Sequence, residues 1–447
     1  MISTAQSGEP QLEPIEEPTL TDAGTEQESI HPAISGRVLI VAFHFPPQVG
    51  SSGVLRALKF CRYLPEFGWM PTVLSVKPGA YERTDPRQLT DIPPDVEVLR
   101  AFSLDTRRHL SLRGAYPKVL ALPDRWSSWL LGAVPVGLRA IKTKQIDAIL
   151  STYPTATAVL IGYVLHRFTG KPWIVDFRDS MTEEGYPGDP LTFRVYRWIE
   201  RQAVNHASAL LFTAPGAIRM YRQRYKSLAA EKCVLLPNGY DEADFQGIAM
   251  ESKRAPKLRL LHSGLIYPWE RDPRPWFRAL SKLKEEGYIS KETLSIELRA
   301  SGNEAEFQKD VDHLGIADIV HFLPALPYRA SLQDAAEAAA LIVLQDACCD
   351  HQIPAKVYEY LRLRKPILAL TPLSGDTGSL LRDTGGATII DLADEDAIYR
   401  ELPKFLRQVR EGIHPVAGLA KSSFYNRRSQ TERLSQHLGK IVQAPHF

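Results

Sequence analysis

Lys356 and Glu359 are the two residues whose types and spacing best suit the binding of a phosphorylated ligand. On a helix, residues three positions apart are neighbours on one face. Helix N-termini attract phosphate because their first N–H groups lack partners and the helix dipole is positive there. A base beside an acid near such an end could hold a nucleotide diphosphate and its ribose. The alternative is an exposed ion pair that contributes about 0.2–0.5 kcal/mol.

The residues around this pair predict the helix that would position it. Pro354 stands where a first helical turn tolerates proline, and Val357 and Leu361 have the spacing of a buried stripe. Pro366 disfavours the α-helical conformation of the residue before it, so the helix should stop there. The apolar run Ile367–Leu370 then predicts a buried strand.

A glycine-bearing loop follows the first strand predicted in the chain, Val38–Phe43, and leads into a helix predicted over Val54–Leu64. The candidate phosphate-loop residues are Gly50, Ser51, Ser52 and Gly53. Backbone N–H groups in such a unit can approach an anion closely because glycine has no Cβ. The loop is neither G-x-G-x-x-G nor a Walker A sequence, so a tight α/β connection is the alternative.

A second loop with candidate ligand contacts follows the strand predicted over Leu258–His262. Gly264 ends the strand, Tyr267 and Trp269 offer stacking faces, and Arg271 lies at the entrance to a helix. Arg271 supplies a cation for an anionic ligand. The alternative is a surface ion pair between Arg271 and a neighbouring acidic residue.

Apolar strands alternate with helical patterns along both halves of the chain. The further strands are predicted over Thr72–Val76, Val96–Ala101, Ala148–Ser151, Trp173–Asp176, Ala209–Thr213, Val234–Leu236, Ser295–Ala300, Ile319–Leu323, Ala340–Leu344, Ile367–Ala369 and Thr388–Ile390. This alternation predicts an α/β protein with parallel, doubly wound sheets. Ligands bind beyond the carboxyl ends of such strands. Arg178 lies in one of those loops, among charges that could instead form a structural network.

The length of 447 residues is too great for one ordinary core and predicts two domains. Residues 1–35 contain seven acidic residues, four prolines and no lysine or arginine, which predicts a disordered tail. We expect an N-terminal Rossmann-like domain over 36–245, a linker over 246–256, a C-terminal Rossmann-like domain over 257–418 and a basic helical segment over 419–447.

The charge balance and cysteine content exclude several classes of function. The chain has 54 basic and 52 acidic residues, a net charge of +2, so no nucleic-acid partner is predicted. Its four cysteines include no C-x-x-C spacing, which gives no standard zinc site and favours a reducing cytoplasm. Neither a signal peptide nor a long apolar run is evident, so we predict neither secretion nor a membrane span.

Aromatic and basic residues alternate in one segment, 111–144, that interrupts the α/β pattern. Trp126, Trp129 and Leu131 lie there among arginines and lysines. This composition suits the edge of a membrane with anionic lipids, which predicts a peripheral contact with the inner face of the plasma membrane and a lipid-linked acceptor. The alternative is a core helix beside a solvated loop.

Two stretches of the sequence resemble retaining glycosyltransferases of family 4, which have the GT-B fold. DHQIPAKVYEYLRLRKPILAL, residues 350–370, is similar to their C-terminal signature, and FHFPPQVGSSGVLRALKFCRYLPEFGW, residues 43–69, is similar to their first β–loop–α unit. Glu359 matches the second glutamate of the Glu-x7-Glu motif, which accepts hydrogen bonds from the donor ribose. His351 stands where the motif has its first glutamate, the contact to the donor sugar.

The resemblance also implies roles for the other candidate residues. Gly50 and Gly53 would admit backbone approach under the donor phosphates, and Arg56 would contact the acceptor or a phosphate. Arg271 would neutralise the donor diphosphate, and Arg178 occupies the place of a histidine that reaches the donor sugar. In GT-B proteins two Rossmann-like domains face a central cleft, and the last helix crosses back to the first domain.

The function implied by the resemblance is transfer of a sugar, with retention, from a nucleotide-diphosphate sugar to a sugar or lipid-linked acceptor in cell-surface polysaccharide or glycolipid biosynthesis. Arg271, Lys356 and Arg178 are the catalytic candidates. No metal or other cofactor is expected, because the two D-x-D triplets, 310–312 and 394–396, suit a polar helix face and a helix cap. A GT-B nucleotide-sugar epimerase and a non-catalytic nucleotide-sugar-binding protein are the alternatives.

Overall fold

Two parallel β-sheets carry the candidate site in the computed structural model, which describes residues 34–49, 53–249 and 256–443. Residues 1–33 of the predicted tail, the loop residues Gly50, Ser51 and Ser52, residues 250–255 of the predicted linker and residues 444–447 lie outside the described residues.

The N-terminal sheet is built from apolar runs that the sequence predicts as buried strands. Its members are β1 Gly36–Val41, β2 Trp69–Val76, β3 Glu97–Ala101, β4 Ala148–Thr152, β5 Trp173–Phe177, β6 Ala209–Phe212 and β7 Cys233–Leu235. They lie in the order β3-β2-β1-β4-β5-β6-β7, and every pair is parallel. The strand order reverses between β1 and β4, which opens a crevice at their carboxyl ends.

The C-terminal sheet repeats this arrangement. Its strands are β8 Leu258–Ser263, β9 Leu294–Arg299, β10 Val320–Leu323, β11 Ala340–Leu344, β12 Ile367–Leu370 and β13 Ala387–Ile390. They are parallel in the order β10-β9-β8-β11-β12-β13. The prediction of two doubly wound α/β sheets is therefore confirmed. Here the strand order reverses between β8 and β11, so Gly264 lies at the crevice.

Helices cover both faces of each sheet. They are α1 Gly53–Tyr63, α2 Thr106–His109, α3 Trp129–Thr143, α4 Ala156–Thr169, α5 Pro190–His206, α6 Pro215–Arg224, α7 Arg274–Glu285, α8 Glu304–His313, α9 Tyr328–Glu337, α10 Lys356–Leu363, α11 Asp376–Thr384, α12 Glu395–Glu411, α13 Leu419–Ser423 and α14 Arg427–Gln443. Because both faces are covered, the central strands are largely buried and their sequences are mostly apolar.

The last helix, α14, packs against the N-terminal half of the chain. Leu434 and Leu438, four positions apart, are fully buried in one apolar cluster with Val38 and Leu150 of the N-terminal sheet. The backbone N–H of Arg427 donates to the carbonyl of Tyr240 at 2.7 Å. These contacts anchor the end of the chain beside the N-terminal sheet.

The tryptophans of segment 111–144 belong to the core of the N-terminal half rather than to its surface. Trp129 is fully buried, with its ring centroid 5.8 Å from that of Phe43. The exposed large apolar residues of the segment are Leu112, Val119, Leu120 and Leu131, which are 81%, 69%, 43% and 76% exposed. Within the described ranges, helices are too short or too polar to cross a bilayer.

Candidate functional site

Lys356, the first residue of α10, lies against a histidine of β8. Its Nζ is 3.2 Å from Nε2 of His262, whose Nδ1 is 3.0 Å from the carbonyl oxygen of Ile342. A carbonyl can only accept a hydrogen bond, so Nδ1 carries the ring proton and the lone pair of Nε2 faces the lysine. His262 thereby orients the ammonium without competing with it for an anion.

The surroundings of Lys356 destabilise its charged form, so a bound anion would stabilise that form. Burial, with a contribution from the charge of Arg271, lowers the pKa of Lys356 to about 7. Burial and the Lys356 charge hold the pKa of His262 well below its usual range, so the imidazole stays neutral. A dianion bound beside Lys356 would restore the stability of its charged form.

Gly264 is required where the loop after β8 passes this lysine. Its φ is +123°, in the region that favours glycine, and a Cβ there would lie 2.8 Å from Lys356 Nζ. The glycine therefore makes room for the ammonium at the point where the two central strands of the sheet diverge.

Arg271 is the second cation of the site. One terminal nitrogen donates to the carbonyl of Leu265 at 2.9 Å, and the guanidinium lies 5.7 Å from the ring centroid of Tyr267. Tyr267 stacks on Trp269 at a centroid separation of 5.5 Å. The buried Nε of Arg271 has no hydrogen-bond partner among the described residues. The loop thus holds Arg271 near enough to Lys356 for their charges to interact, while leaving donor capacity unused.

Glu359 faces the same recess as Lys356, one helical turn further on. Its Oε1 accepts a hydrogen bond of 2.9 Å from the hydroxyl of Tyr328, at the start of α9. Burial raises the pKa of Glu359, and the Tyr328 hydroxyl and the charges of Arg427 and Lys356 oppose that rise. The second carboxylate oxygen has no hydrogen-bond partner in the described parts of the chain, so it can accept one from a ligand.

The first turn of α10 has fewer unpaired N–H groups than the sequence predicts. The helix begins at Lys356, two residues after Pro354. The N–H groups of Val357 and Tyr358 already donate to the carbonyls of Pro354 and Ala355, at 3.0 and 3.2 Å. Most of the donor capacity offered to an anion therefore comes from Lys356 and Arg271 rather than from unpaired helix amides.

His351 contacts the N-terminal half rather than Lys356 or Glu359. Its Nε2 lies 3.0 Å from Oε1 of Glu183, and this carboxylate raises the pKa of the imidazole. A Cβ at Gly216, near the start of α6, would lie 2.6 Å from the Cα of His351. His351 is therefore a contact between the two halves, on the rim of the space between their carboxyl edges.

Arg178 lies half-buried in the loop after β5. Its Nε is buried and has no hydrogen-bond partner among the residues described. Burial lowers the pKa of Arg178, and burial together with the charge of Arg178 lowers the pKa of His44, to about 4. Arg178 thus remains available as a cation on the N-terminal side.

Arg427 is a buried cation near Glu359 that the sequence did not single out. This first residue of α14 is 6% exposed. Burial, reinforced by the charges of Arg56 and Arg178, lowers its pKa to about 10, while Glu359 opposes the shift. Arg427 is therefore near enough to Arg56 and Arg178 of the N-terminal half and to Glu359 of the C-terminal half to interact with their charges. The sequence carries no local signal for Arg427, because α14 reaches this position only through the fold.

The placement of Arg56 contradicts its predicted contact with an acceptor or a phosphate. The side chain is 1% exposed and makes two hydrogen bonds to Asp176, of 2.8 and 2.9 Å. Its remaining terminal donors bind the carbonyls of Leu236 and Pro237, each at 3.0 Å. Arg56 therefore ties α1 to the ends of β5 and β7. Gly53 begins α1 and is buried.

The acidic triplets form protein contacts. Asp310 pairs with Arg274 at 2.9 Å, and Asp394 accepts a hydrogen bond of 2.8 Å from the N–H of Ala397 as the cap of α12. The described residues contain no cluster of three histidines, cysteines or carboxylates that could hold a metal ion. Metal independence remains a prediction.

Solved structures show which class this architecture defines. Sucrose-phosphate synthase from Thermosynechococcus elongatus aligns with a TM-score of 0.62 and 12% identity over 92% of this chain and 100% of its own. Anabaena Alr3699/HepE in complex with UDP and glucose gives 0.61 and 15% over 90% and 99%. WaaG, a glycosyltransferase involved in lipopolysaccharide biosynthesis, gives 0.56 and 14% over 92% and 100%. The chain has the GT-B fold, with two Rossmann-like domains.

The first half of the chain also matches a specific domain family. Residues 53–239 match the glycosyl transferase 4-like domain. The chain thus has the GT-B fold, and its first half is similar to the glycosyl transferase 4-like domain, in agreement with the resemblance seen in the sequence. No curated protein matches the chain.

Proposed function

We propose that this protein is a glycosyltransferase that uses a nucleotide-diphosphate sugar. The observation that carries the proposal is the pairing of Lys356 with neutral His262 at the crevice of the C-terminal sheet, with Arg271 acting on both. The family 4-like domain and the complexes of HepE with UDP and with UDP-glucose support a nucleotide sugar as donor.

The proposed chemistry is metal-independent transfer with retention. As the bond between the sugar and the diphosphate breaks, negative charge develops on the departing phosphate. Lys356 and Arg271 stabilise that charge, and Arg178 adds a cation on the opposite side. The acceptor hydroxyl bonds to the anomeric carbon on the face that the diphosphate leaves, and its proton passes to the departing phosphate oxygen. The WaaG likeness supports an acceptor in polysaccharide or glycolipid biosynthesis.

Glu359 is proposed to accept hydrogen bonds from the ribose. We expect Glu359→Ala to raise the Kd for UDP about tenfold or more, because hydrogen bonds to a charged group contribute about 1.5–3 kcal/mol. Tyr328→Phe is the matched control, since it removes only the hydroxyl that orients the carboxylate at 2.9 Å. It should weaken UDP binding less. Equal affinity of wild type and Glu359→Ala in calorimetric titrations would remove Glu359 from the nucleotide site.

UDP binding should weaken as pH rises through 7. Protonated Lys356 attracts the diphosphate, and its pKa of about 7 in the free protein means that it must take up a proton to bind UDP at higher pH. The Kd should therefore rise by up to about tenfold per pH unit between 7 and 9. Titrations in buffers of different ionisation enthalpy would detect the proton uptake. A Kd independent of pH, or the same slope in Lys356→Met, would contradict this role.

Two other activities compete with transfer. An epimerase would interconvert nucleotide sugars, and a non-catalytic protein would bind them without turnover. Incubation with UDP- and GDP-sugars in EDTA separates the three. A transferase should slowly release free UDP or GDP, whereas epimerisation without release, or no turnover of any donor that binds, would overturn the proposal. A thermal-shift panel identifies the donor first, because ligands that bind only the folded state raise Tm.

The acceptor side is proposed to touch a membrane surface through segment 111–144. Leu112 and Val119 are exposed, and Arg113 and Lys118 are exposed beside them. Exposed apolar residues next to basic ones suit anionic lipid headgroups. Co-sedimentation with vesicles containing phosphatidylserine should fall in a Leu112→Ser, Val119→Ser variant. Equal binding of that variant and wild type would place any contact elsewhere.

A further inference from the structure

A second cavity, of about 570 Å³, lies at the edge of the C-terminal sheet opposite the donor site. It forms where β8, β9, β11 and β12 begin. Its polar lining includes Lys257, Arg259, Glu297, Glu337, Lys365, Arg410 and His414. Pockets for small organic ligands typically have volumes of about 300–1,000 Å³. This cavity is therefore large enough for such a ligand.

Lys365 is the residue in the lining of this cavity that most directly indicates a ligand. Its side chain is buried, with 7% exposed, and it lines the cavity. Among the described residues its ammonium makes no hydrogen bond and no ion pair, and its Nζ atom is open to the cavity rather than enclosed by protein. Burial, with a contribution from the charge of Arg259, lowers its pKa. A largely buried lysine whose ammonium faces a cavity without an anionic partner can pair with an anion that enters the cavity.

Lys59, a lysine with comparable exposure, is a buried lysine whose ammonium is paired with carboxylates. It is 5% exposed, and its Nζ lies 2.6 Å from Asp241 and 2.8 Å from Asp244. Lys365 has burial of the same order without either kind of contact. The structure thus contains a matched pair of buried lysines, one paired and one not.

The acidic residues of the lining do not compensate Lys365. Glu297 is paired with Arg259 at 2.8 Å, and Glu337 is exposed and accepts a hydrogen bond from Gln333. Four basic residues and two acidic ones line the cavity, so its net charge is positive. The ligand complementary to this lining is therefore an anion.

The remaining lining offers an apolar wall. Leu258, Pro366 and Val409 contribute to it. The buried imidazole of His414 lies 2.7 Å from the carbonyl of Pro415 and 2.9 Å from the hydroxyl of Thr388, so both ring nitrogens are already engaged. A charged group at Lys365 and an apolar wall beside it suit a small organic molecule better than a bare inorganic ion.

We propose that this cavity binds a small organic anion, whose phosphate or carboxylate group pairs with Lys365 and whose body packs on the apolar wall. Lys257 and the exposed Arg410, which has no ion pair within the described part of the chain, would contact the anion from the mouth of the cavity. The site is separate from the donor site, because Lys365 follows the end of α10 whereas Lys356 begins it.

The test is calorimetric titration of the full-length protein with phenyl phosphate, inorganic phosphate and citrate, each in EDTA. Lys365→Met should raise the Kd of the preferred anion about tenfold or more, since a hydrogen-bonded charge pair is lost. Lys356→Met, which removes the ammonium of the donor site, is the matched control and should leave this Kd unchanged. If phenyl phosphate binds more tightly than inorganic phosphate, the apolar wall contacts the body of the ligand. If citrate binds most tightly, the natural ligand carries a carboxylate.

The Tm values of the ligand-free variants separate the loss of a ligand contact from a loss of folding stability. Lys365→Met should have a Tm equal to or above that of wild type, because the ammonium makes no hydrogen bond or ion pair with the described residues that the variant could lose. Arg410→Gln, at an exposed position, should weaken the same anion without altering Tm. The proposal is overturned if none of the three anions binds wild type, if Lys356→Met rather than Lys365→Met abolishes binding, or if Lys365→Met lowers Tm.

Discussion

Lys356→Met should lower kcat/KM for sugar transfer by about 10²–10³-fold, the loss expected when one preorganised donor to a developing anion is removed. Methionine retains much of the side-chain volume beside Gly264 and His262 but cannot carry charge. Because the charge develops mainly in the transition state, kcat should fall together with kcat/KM.

The controls for this prediction separate charge from folding. Lys404→Met alters a lysine that is 58% exposed in α12 of the same domain, and it should leave kcat and KM unchanged. Arg271→Ala should cause a loss comparable to that of Lys356→Met, about 2.7–4 kcal/mol in the activation free energy. Unchanged kinetics in both Lys356→Met and Arg271→Ala would show that another part of the protein stabilises the leaving group.

Arg56→Met should lower the free energy of unfolding by about 3–5 kcal/mol, because it leaves the carboxylate of Asp176 buried without its partner. Arg56 and Asp176 are each 1% exposed in this pair. The variant also leaves two carbonyls at the end of β7 without their donors. Denaturant unfolding followed by tryptophan fluorescence measures the effect.

An exposed pair of the same kind provides the control. Arg87 and Asp85 are also 2.8 Å apart, but the Arg87 side chain is 91% exposed. Arg87→Met should have no measurable effect, since water solvates both charges. The double variant Arg56→Met, Asp176→Asn should recover part of the lost stability because no buried charge remains. Equal stability of Arg56→Met and wild type would return Arg56 to the list of candidate ligand contacts.

Much of the architecture could be predicted from the sequence because the strands are buried on both faces. Such strands are continuous apolar runs, as in Ala340–Leu344 and Ile367–Leu370, and these two have the bounds that the sequence predicts. The neighbourhood of Lys356 and Glu359 was also predictable, since their spacing fixes a shared helix face. The meeting of Arg271 with Lys356 follows from the parallel sheet, which brings its loops to one edge.

The partners of these residues could not be predicted, because they are distant in sequence. His262 is 94 residues from Lys356, and Tyr328 is 31 residues from Glu359. The family resemblance implies a ligand contact for Arg56, whereas Asp176, 120 residues later, binds its guanidinium. Similarly, His351 occupies the position of a ligand-binding glutamate but contacts Glu183, 168 residues away. Local sequence determined the elements, and long-range packing determined the partners of their polar groups.

A crystal structure with UDP in the presence of EDTA would test the central claim most directly. We expect diphosphate oxygens within hydrogen-bond distance of Lys356 Nζ and the Arg271 guanidinium, with the ribose hydroxyls donating to Glu359. UDP bound away from these residues, or bound only when a divalent metal bridges its phosphates to the protein, would contradict it.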